Sequence, residues 1–144
     1  MGSIHFFEEK PAPWFKGRRA MKALLGELLK KEKVAFDTIQ FILVSDDALL
    51  EVNRSYLNHD YYTDIITFDL SAPGAAKVSD IYISLDRVEE NAKNYNESRL
   101  NELRRVMIHG CLHLCGYKDK LKTDRVKMRE REDYYLRLHT KRST

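Results

Sequence analysis

The stretch SRLNELRRVMIHGCLHLCGYKD, residues 98–119, decides the fold. Its first turns alternate apolar and charged residues at helical spacing, which indicates an amphipathic helix. From Val106 to Cys115 nearly every position is apolar, a pattern typical of a helix that neighbouring elements cover on all sides. Gly116 is suited to end such a helix. The sequence therefore predicts a buried central helix that closes at Gly116.

The segments around this helix predict an α+β domain. Runs rich in β-branched and aromatic residues indicate strands, and apolar residues three and four apart indicate helices. A turn signal at residues 72–74, Ala-Pro-Gly, favours antiparallel pairing of the two strands that flank it. We expect one domain over residues 1–144, a small mixed sheet of about four strands packed with about five helices. The predicted strands are 4–8, 34–44, 64–70 and 80–85, and the predicted helices are 15–33, 46–58, 86–94, the central helix and 123–138.

Composition excludes several classes of protein. With 144 residues, 43% of them hydrophobic, the chain can build a packed core, which excludes an intrinsically disordered protein. No run of about 18 apolar residues is present, so we expect no membrane-spanning segment. Cys111 and Cys115 lie four residues apart and offer no disulfide framework. Residues 1–10 lack the basic and apolar regions of a signal peptide, and we therefore expect a cytoplasmic protein.

The net charge of +3 conceals a basic segment. Residues 118–144 contain ten Lys or Arg and five Asp or Glu. A local excess of positive charge favours a polyanionic partner such as RNA or DNA. The other interpretation is a solvated helix face with ion pairs between residues four apart, such as Asp133 and Arg137.

Two histidines on the central helix are the strongest chemical signal in the chain. His109 and His113 are four residues apart, so they lie about 40° apart on one helix face and can share one metal ion. Gly116 follows after three residues and Asp119 after three more, which is the ligand spacing of a metzincin zinc site with Asp in the third place. A histidine pair alone is as consistent with core packing, but the apolar helix, the glycine and the carboxylate together favour a metal site.

Two other positions of the helix limit the chemistry. Cys111 and Cys115 fall on the face opposite the histidines, so we expect them in the core and not among the ligands. Gly110 stands where a zinc protease of this spacing has the glutamate that acts as general base. The pattern therefore favours metal-assisted hydrolysis of another kind of bond.

The same helix resembles the signature H-G-x-L-H-L-x-G-Y-D-H of the YbeY family, the endoribonucleases of ribosomal RNA maturation. Residues 109–117 read HGCLHLCGY. Other segments are also similar to the family over about residues 45–135, roughly two-thirds of the chain. Residues 63–68, TDIITF, resemble the family's T-D-V-L-S-F strand. Residues 79–84, SDIYIS, resemble its G-D-I-x-I-S strand. Asn53 and Tyr56 match its L-N-x-x-Y-R segment.

The resemblance implies a metal-dependent, single-strand-selective endoribonuclease in small-subunit (16S) ribosomal RNA maturation and ribosome quality control. It implies single-stranded RNA, ribosomal RNA, the small ribosomal subunit and ribosome-associated proteins as partners. His109, His113 and Asp119 would hold one divalent ion, zinc or another metal. The family's third histidine falls on Asp119, and a carboxylate is an acceptable zinc ligand.

Four further residues are candidates for catalysis. The family's arginine falls on Leu57, and Arg54, three residues earlier on the same predicted helix, is a possible replacement or an ordinary exposed arginine. Asp64 begins a predicted strand, where it faces the site or only caps a turn. Lys118 and Lys120 flank the third ligand, where basic side chains would hold the RNA strand and stabilise charge.

Two other functions remain open at this point. A non-catalytic ribosome assembly factor would use the metal for structure only, with a fourth protein ligand. A metzincin-like peptidase would need a base that replaces the glutamate missing at Gly110.

Overall fold

Residues 2–143, which the computed structural model describes, with side chains as far as residue 141, form five helices and four strands. This confirms the predicted α+β fold, although the predicted boundary 1–144 includes Met1 and Thr144, which lie outside the described residues. The strands are β1 (Ser3–Glu8), β2 (Phe36–Val44), β3 (Ile65–Asp69) and β4 (Lys77–Ser84), and the helices are α1 (Arg18–Lys31), α2 (Asp46–Leu57), α3 (Leu85–Asn94), α4 (Arg99–Leu114) and α5 (Lys122–Ser143).

The sheet is mixed and has the order β1-β2-β4-β3. Strand β2 pairs in parallel with β1 and β4, and β3 pairs with β4 in antiparallel register, as predicted for that pair. Strand β4 begins at Lys77, three residues before the predicted start, because residues 77–79 already pair with β2. The short strand β3 therefore lies at one edge of the sheet.

Alternation along β2 divides the apolar residues between two faces. Ile39, Phe41 and Leu43 belong to the large core, which α1, α4 and α5 share, whereas Ile42 and Val44 belong to a smaller cluster with Leu49 of α2. Most of the helical mass thus lies on one face of the sheet. Helix α4 is the buried centre of that face, as its sequence predicts.

Gly110 lets α4 approach the sheet closely. A Cβ atom at this position would lie 3.1 Å from Cδ1 of Ile65 on β3 and 3.3 Å from Ile81 on β4. Any larger side chain would push the helix away from the strands. A side chain at position 110 would therefore point into the contact between α4 and the sheet, and not towards the Nε2 atoms of the two histidines.

The end of α4 reverses the chain with a glycine. Gly116 has a φ of 97°, and its N–H donates to the carbonyl of His113 at 3.0 Å. The N–H of Tyr117 donates to the carbonyl of Leu112 at 3.1 Å, which completes a Schellman motif. The helix ends at Leu114 and Gly116 caps it, as predicted, and the turn brings the next residues back towards the histidines.

Helix α5 is longer than predicted and is only partly solvated. It spans Lys122–Ser143 and contacts α1 and α4. Asp133 pairs with Arg105 of α4, not with Arg137 as the solvated-face interpretation had it. No helix among the described residues has the length and apolarity needed to cross a membrane. The inward side of α5 is formed by Met128, Glu132, Tyr135, Leu136 and His139, all of them buried.

Candidate metal centre

The structure brings the three predicted ligands together. His109 and His113 extend from successive turns of α4, and their Nε2 atoms are 3.0 Å apart. Oδ2 of Asp119, from the loop after the glycine turn, lies 3.3 Å from Nε2 of His109 and 3.2 Å from Nε2 of His113. The three ligand atoms therefore form a nearly equilateral triangle.

The triangle fits a small divalent ion. Tetrahedral bonds of about 2.0–2.2 Å place ligand atoms about 3.3–3.6 Å from one another, close to the separations of 3.0–3.3 Å here. Two imidazoles and one carboxylate form a donor set that suits zinc. Among the described residues no fourth His, Cys, Asp or Glu joins the group. Three protein ligands with an open position are typical of catalytic zinc sites, whereas structural sites have four.

Glu132 of α5 orients the first ligand. Its Oε2 lies 2.7 Å from Nδ1 of His109, so that the opposite nitrogen, Nε2, faces the other ligands. Its Oε1 accepts a hydrogen bond from Nη1 of Arg105 at 3.0 Å, and Arg105 also binds Asp133 at 2.7 Å. A carboxylate behind a metal-binding imidazole fixes the ring and raises its basicity.

The environment of His109 favours positive charge. Burial by itself lowers the pKa of the imidazole, but the hydrogen bond and charge of Glu132 raise it, and Asp119 and Asp64 raise it further. The net pKa lies above the ordinary histidine value. Three carboxylates around one imidazole make a place where a cation is stabilised.

Two cavities meet at His109. The first, here called the α3–α5 cavity, has a volume of about 310 Å³ and is bounded by side chains of α3, α4 and α5. The second, here called the β3 groove, has a volume of about 420 Å³ and runs between β3 and the end of α4. Asp64, His109 and Asp119 line both of them. The ligand triangle is therefore accessible from two sides.

Asp64 lies immediately before β3, and its side chain faces the site. Burial raises the pKa of its carboxyl, His109 opposes that effect, and Asp119 adds to it. The net pKa is above the ordinary aspartate value. Asp64 is thus the one candidate of the four predicted for catalysis that lines the cavities beside the ligands.

The other three candidates lie outside these cavities. Arg54 on α2 is half exposed and forms an ion pair with Asp60 at 2.5 Å. Lys118 lines a separate depression with Tyr117. The carbonyl of Lys120 accepts a hydrogen bond from Nη1 of Arg125 at 2.6 Å. Their catalytic roles stay predictions.

Sequence reasoning missed two carboxylates. Glu132 is buried on the inward side of α5, whose many charged residues resemble a solvated face, so no local signal marks it. Glu102 lies seven residues, two helical turns, before His109 and therefore on the same face of α4. Burial raises the pKa of Glu102 to about 7, with Arg105 opposing the rise and Asp64 increasing it. Both glutamates line the α3–α5 cavity.

The cysteines are core residues, as predicted. Cys111 is fully buried, and Cys115 is half-buried and packs against the same core. Burial raises the pKa of both thiols, so neither is available as a thiolate ligand at neutral pH.

Comparison with known proteins identifies the family. The sequence model of the family "Endoribonuclease YbeY" matches residues 5–139. Endoribonuclease YbeY of Cytophaga hutchinsonii is 43% identical over 136 residues, which are 94% of this chain and 95% of that protein. The protein of the same name from Phocaeicola vulgatus is 51% identical over 100 residues, 69% of this chain and 72% of that one. A Thermotoga maritima protein solved in solution superposes with a TM-score of 0.64 and 33% identity, covering 92% of this chain and 86% of its own. The chain, with two histidines on its buried helix and an aspartate in the loop that follows, belongs to the endoribonuclease YbeY family.

Proposed function

We propose that this protein is a metal-dependent endoribonuclease that cleaves single-stranded RNA during maturation of small-subunit ribosomal RNA. The observation that carries the proposal is the ligand triangle of His109, His113 and Asp119, with edges of 3.0–3.3 Å, in a chain of this family. We assign the triangle to zinc, because two imidazoles and one carboxylate suit that ion better than an all-oxygen site would.

Different residues of the chain have different roles at this metal centre. A divalent ion, when bound, supplies Lewis acidity that activates water or polarises a phosphoryl oxygen. Glu132 holds His109 in the orientation that presents Nε2. Asp64 lines both cavities, and burial raises its pKa above the ordinary aspartate value, so it is placed to accept a proton from water or from a ribose 2′-hydroxyl. Arg125 and Arg129 line the α3–α5 cavity, where positive charge stabilises a phosphate.

The partners follow from the same chemistry. The basic residues of 118–144, among them Lys118 and Lys120, support contact with an RNA backbone beyond the reacting phosphate. Arg54, which lies on α2 and lines neither cavity, is proposed to contact another segment of the RNA. We propose ribosomal RNA within the small subunit, together with ribosome-associated proteins, as the partners, and the cytoplasm as the compartment.

The alternatives have less support. A structural metal site would have four protein ligands, and the described residues provide three. A peptidase of metzincin type needs a base after the first histidine, and Gly110 packs against Ile65 and Ile81 at that position. No specific observation favours either function.

The test combines a ligand variant with removal of the metal. Elemental analysis of the purified protein should find one divalent ion per chain, and His113→Ala should lose it. Cleavage of a single-stranded RNA oligomer should fall at least 100-fold both in His113→Ala and after chelation, because the Lewis acid is gone. Arg19→Ala, at an exposed position of α1, is the control and should behave like the wild type. Undiminished cleavage by both the variant and the chelated protein would contradict the metal mechanism.

A further inference from the structure

A tyrosine ring is exposed beside the ligand triangle. Tyr95 follows the last residue of α3, and 60% of its surface is accessible to solvent. It lines the α3–α5 cavity together with His109 and Asp119. The backbone of Tyr95 already closes α3, since its N–H donates to the carbonyl of Asn91 at 2.9 Å. The aromatic side chain is therefore not needed to end the helix.

Arg129 of α5 lies over this ring. The Cζ atom of Arg129 on α5 is 6.0 Å from the centroid of Tyr95, within the range of a cation–π contact. Among the described residues Arg129 forms no salt bridge, whereas Arg105 in the same cavity is neutralised by Glu132 and Asp133. The charge of Arg129 acts on Glu102 of the same cavity, but no hydrogen-bonded carboxylate among the described residues holds the guanidinium, so it can also approach a ligand.

The size of the α3–α5 cavity limits which ligands Tyr95 and Arg129 can bind. Its volume of about 310 Å³ is at the lower end of the range for small-molecule sites, about 300–1,000 Å³. A single unpaired nucleotide is a ligand of that kind, whereas a base pair within a duplex is not accessible to such a pocket. Aromatic rings and guanidinium planes are the surfaces on which proteins stack the bases of single-stranded RNA.

We propose that Tyr95 and Arg129 form a stacking subsite for one nucleobase of a single-stranded RNA whose neighbouring phosphate lies at the ligand triangle. This inference rests on the proposed function and identifies the structural basis for its single-strand selectivity. Because every base has a π face, the subsite accepts purines and pyrimidines and imposes little sequence preference. Arg129 adds a cation that contacts the base face or the adjoining phosphate.

The experiment measures binding separately from cleavage. Fluorescence anisotropy with a single-stranded oligomer of 2′-O-methyl nucleotides, which lacks the 2′-hydroxyl, reports affinity for the metal-loaded protein. Tyr95→Ala should bind this oligomer about tenfold more weakly, in keeping with the loss of one stacked base. Tyr95→Phe retains the ring and should stay within about twofold of the wild type, and Arg19→Ala should do the same. Arg129→Ala should weaken binding less than Tyr95→Ala does.

A series of oligomers that each lack one base tests stacking directly. The wild type should lose about tenfold in affinity when the base at one position is missing, and Tyr95→Ala should show no such difference, because the same contact is already absent. Equal binding of all oligomers by the wild type, or unchanged binding by Tyr95→Ala, would overturn the subsite. A wild-type protein that cleaves no RNA would instead contradict the proposed function, and the affinity series would still decide whether Tyr95 stacks a base.

Discussion

Two largely buried glutamates, Glu132 on α5 and Glu32 at the end of α1, have different partners. Glu132 binds Arg105 and the metal-site imidazole of His109. Glu32, the residue that follows α1, accepts hydrogen bonds from Tyr135 at 2.6 Å, from Tyr117 at 2.8 Å and from Arg131 at 2.8 Å. Both carboxylates are largely buried, with 7% and 13% of the side chain exposed. The two side chains are thus similarly buried but contact different groups and have different roles.

The partners explain the difference. Burial alone would raise the pKa of Glu32, but the hydrogen bonds from Tyr135, Arg131 and Tyr117 outweigh it and the pKa lies below the ordinary value. None of these donors is a metal ligand, so Glu32 joins α1, α5 and the turn after α4 as a structural clamp. Glu132 instead contacts a ligand, and its effect should be visible in metal affinity. The role of a buried carboxylate therefore depends on which groups it contacts, and its degree of burial alone does not reveal that role.

The largest effect is expected from removing the clamp. Glu32→Ala leaves the Arg131 guanidinium and two tyrosine hydroxyls without their acceptor, and the free energy of unfolding should fall by about 3 kcal/mol. Urea denaturation measures it, with Glu9→Ala at an exposed position as the control. In the fraction that stays folded, metal affinity should be unchanged. A large loss of metal affinity in folded Glu32→Ala would contradict the purely structural role of Glu32.

A somewhat smaller effect, on another observable, is expected at Glu132. Glu132→Gln removes the charge behind His109, and metal affinity should fall about 10–100-fold, equivalent to about 1.4–2.8 kcal/mol. The fold should be retained better than in Glu32→Ala, because Asp133 still binds Arg105. Competition with a chelator of known affinity measures the change, and Glu130→Gln, exposed on the same helix, is the matched control. Unaltered metal affinity would remove the orienting role of Glu132.

The smallest effect concerns Glu102, a third buried glutamate with a pKa raised to about 7 by burial. The folded state holds this proton more tightly than the unfolded state, so stability is full below pH 4.5 and declines as the pH rises through about 7. Glu102→Gln abolishes that decline and should be more stable than the wild type by about 1–2 kcal/mol at pH 8, with little gain at pH 4.5.

Urea denaturation of metal-free Glu102→Gln and wild type at the two pH values checks the prediction. Metal-free protein is used because ligand protonation gives metal binding a pH dependence of its own. A gain of equal size at pH 4.5 and pH 8 would show that Glu102 does not titrate in this window. Glu32, whose pKa is lowered, contributes stability above its unfolded pKa and loses it in acid, which is the opposite sign.

Some elements were predictable because their signals are local. The histidines, Gly116 and Asp119 lie within eleven residues, and a helix followed by a glycine turn is enough to bring their side chains together. Both strands that flank the turn at residues 72–74 were predicted as an antiparallel pair, although β4 begins earlier because its first residues pair with β2. Register with a distant strand leaves no local signal in the sequence.

Helix α5 was the least predictable element. Its charges resemble a solvated face, yet one side packs against α1 and α4 and provides Glu132, which lies 23 residues from its partner His109. The many charged residues along this helix hide its buried side. Only the position of α5 against α4 shows which of its charges is structural and which is free.

The amino-acid sequence by itself determined the ligand set, the buried helix and the absence of a protease base at Gly110, because helix periodicity and turn chemistry act over a few residues. The tertiary structure decided which carboxylate orients His109, how closely Gly110 packs against Ile65, and which arginine lies over the Tyr95 ring. These outcomes depend on how separate elements pack against one another, and packing joins residues that no local pattern connects.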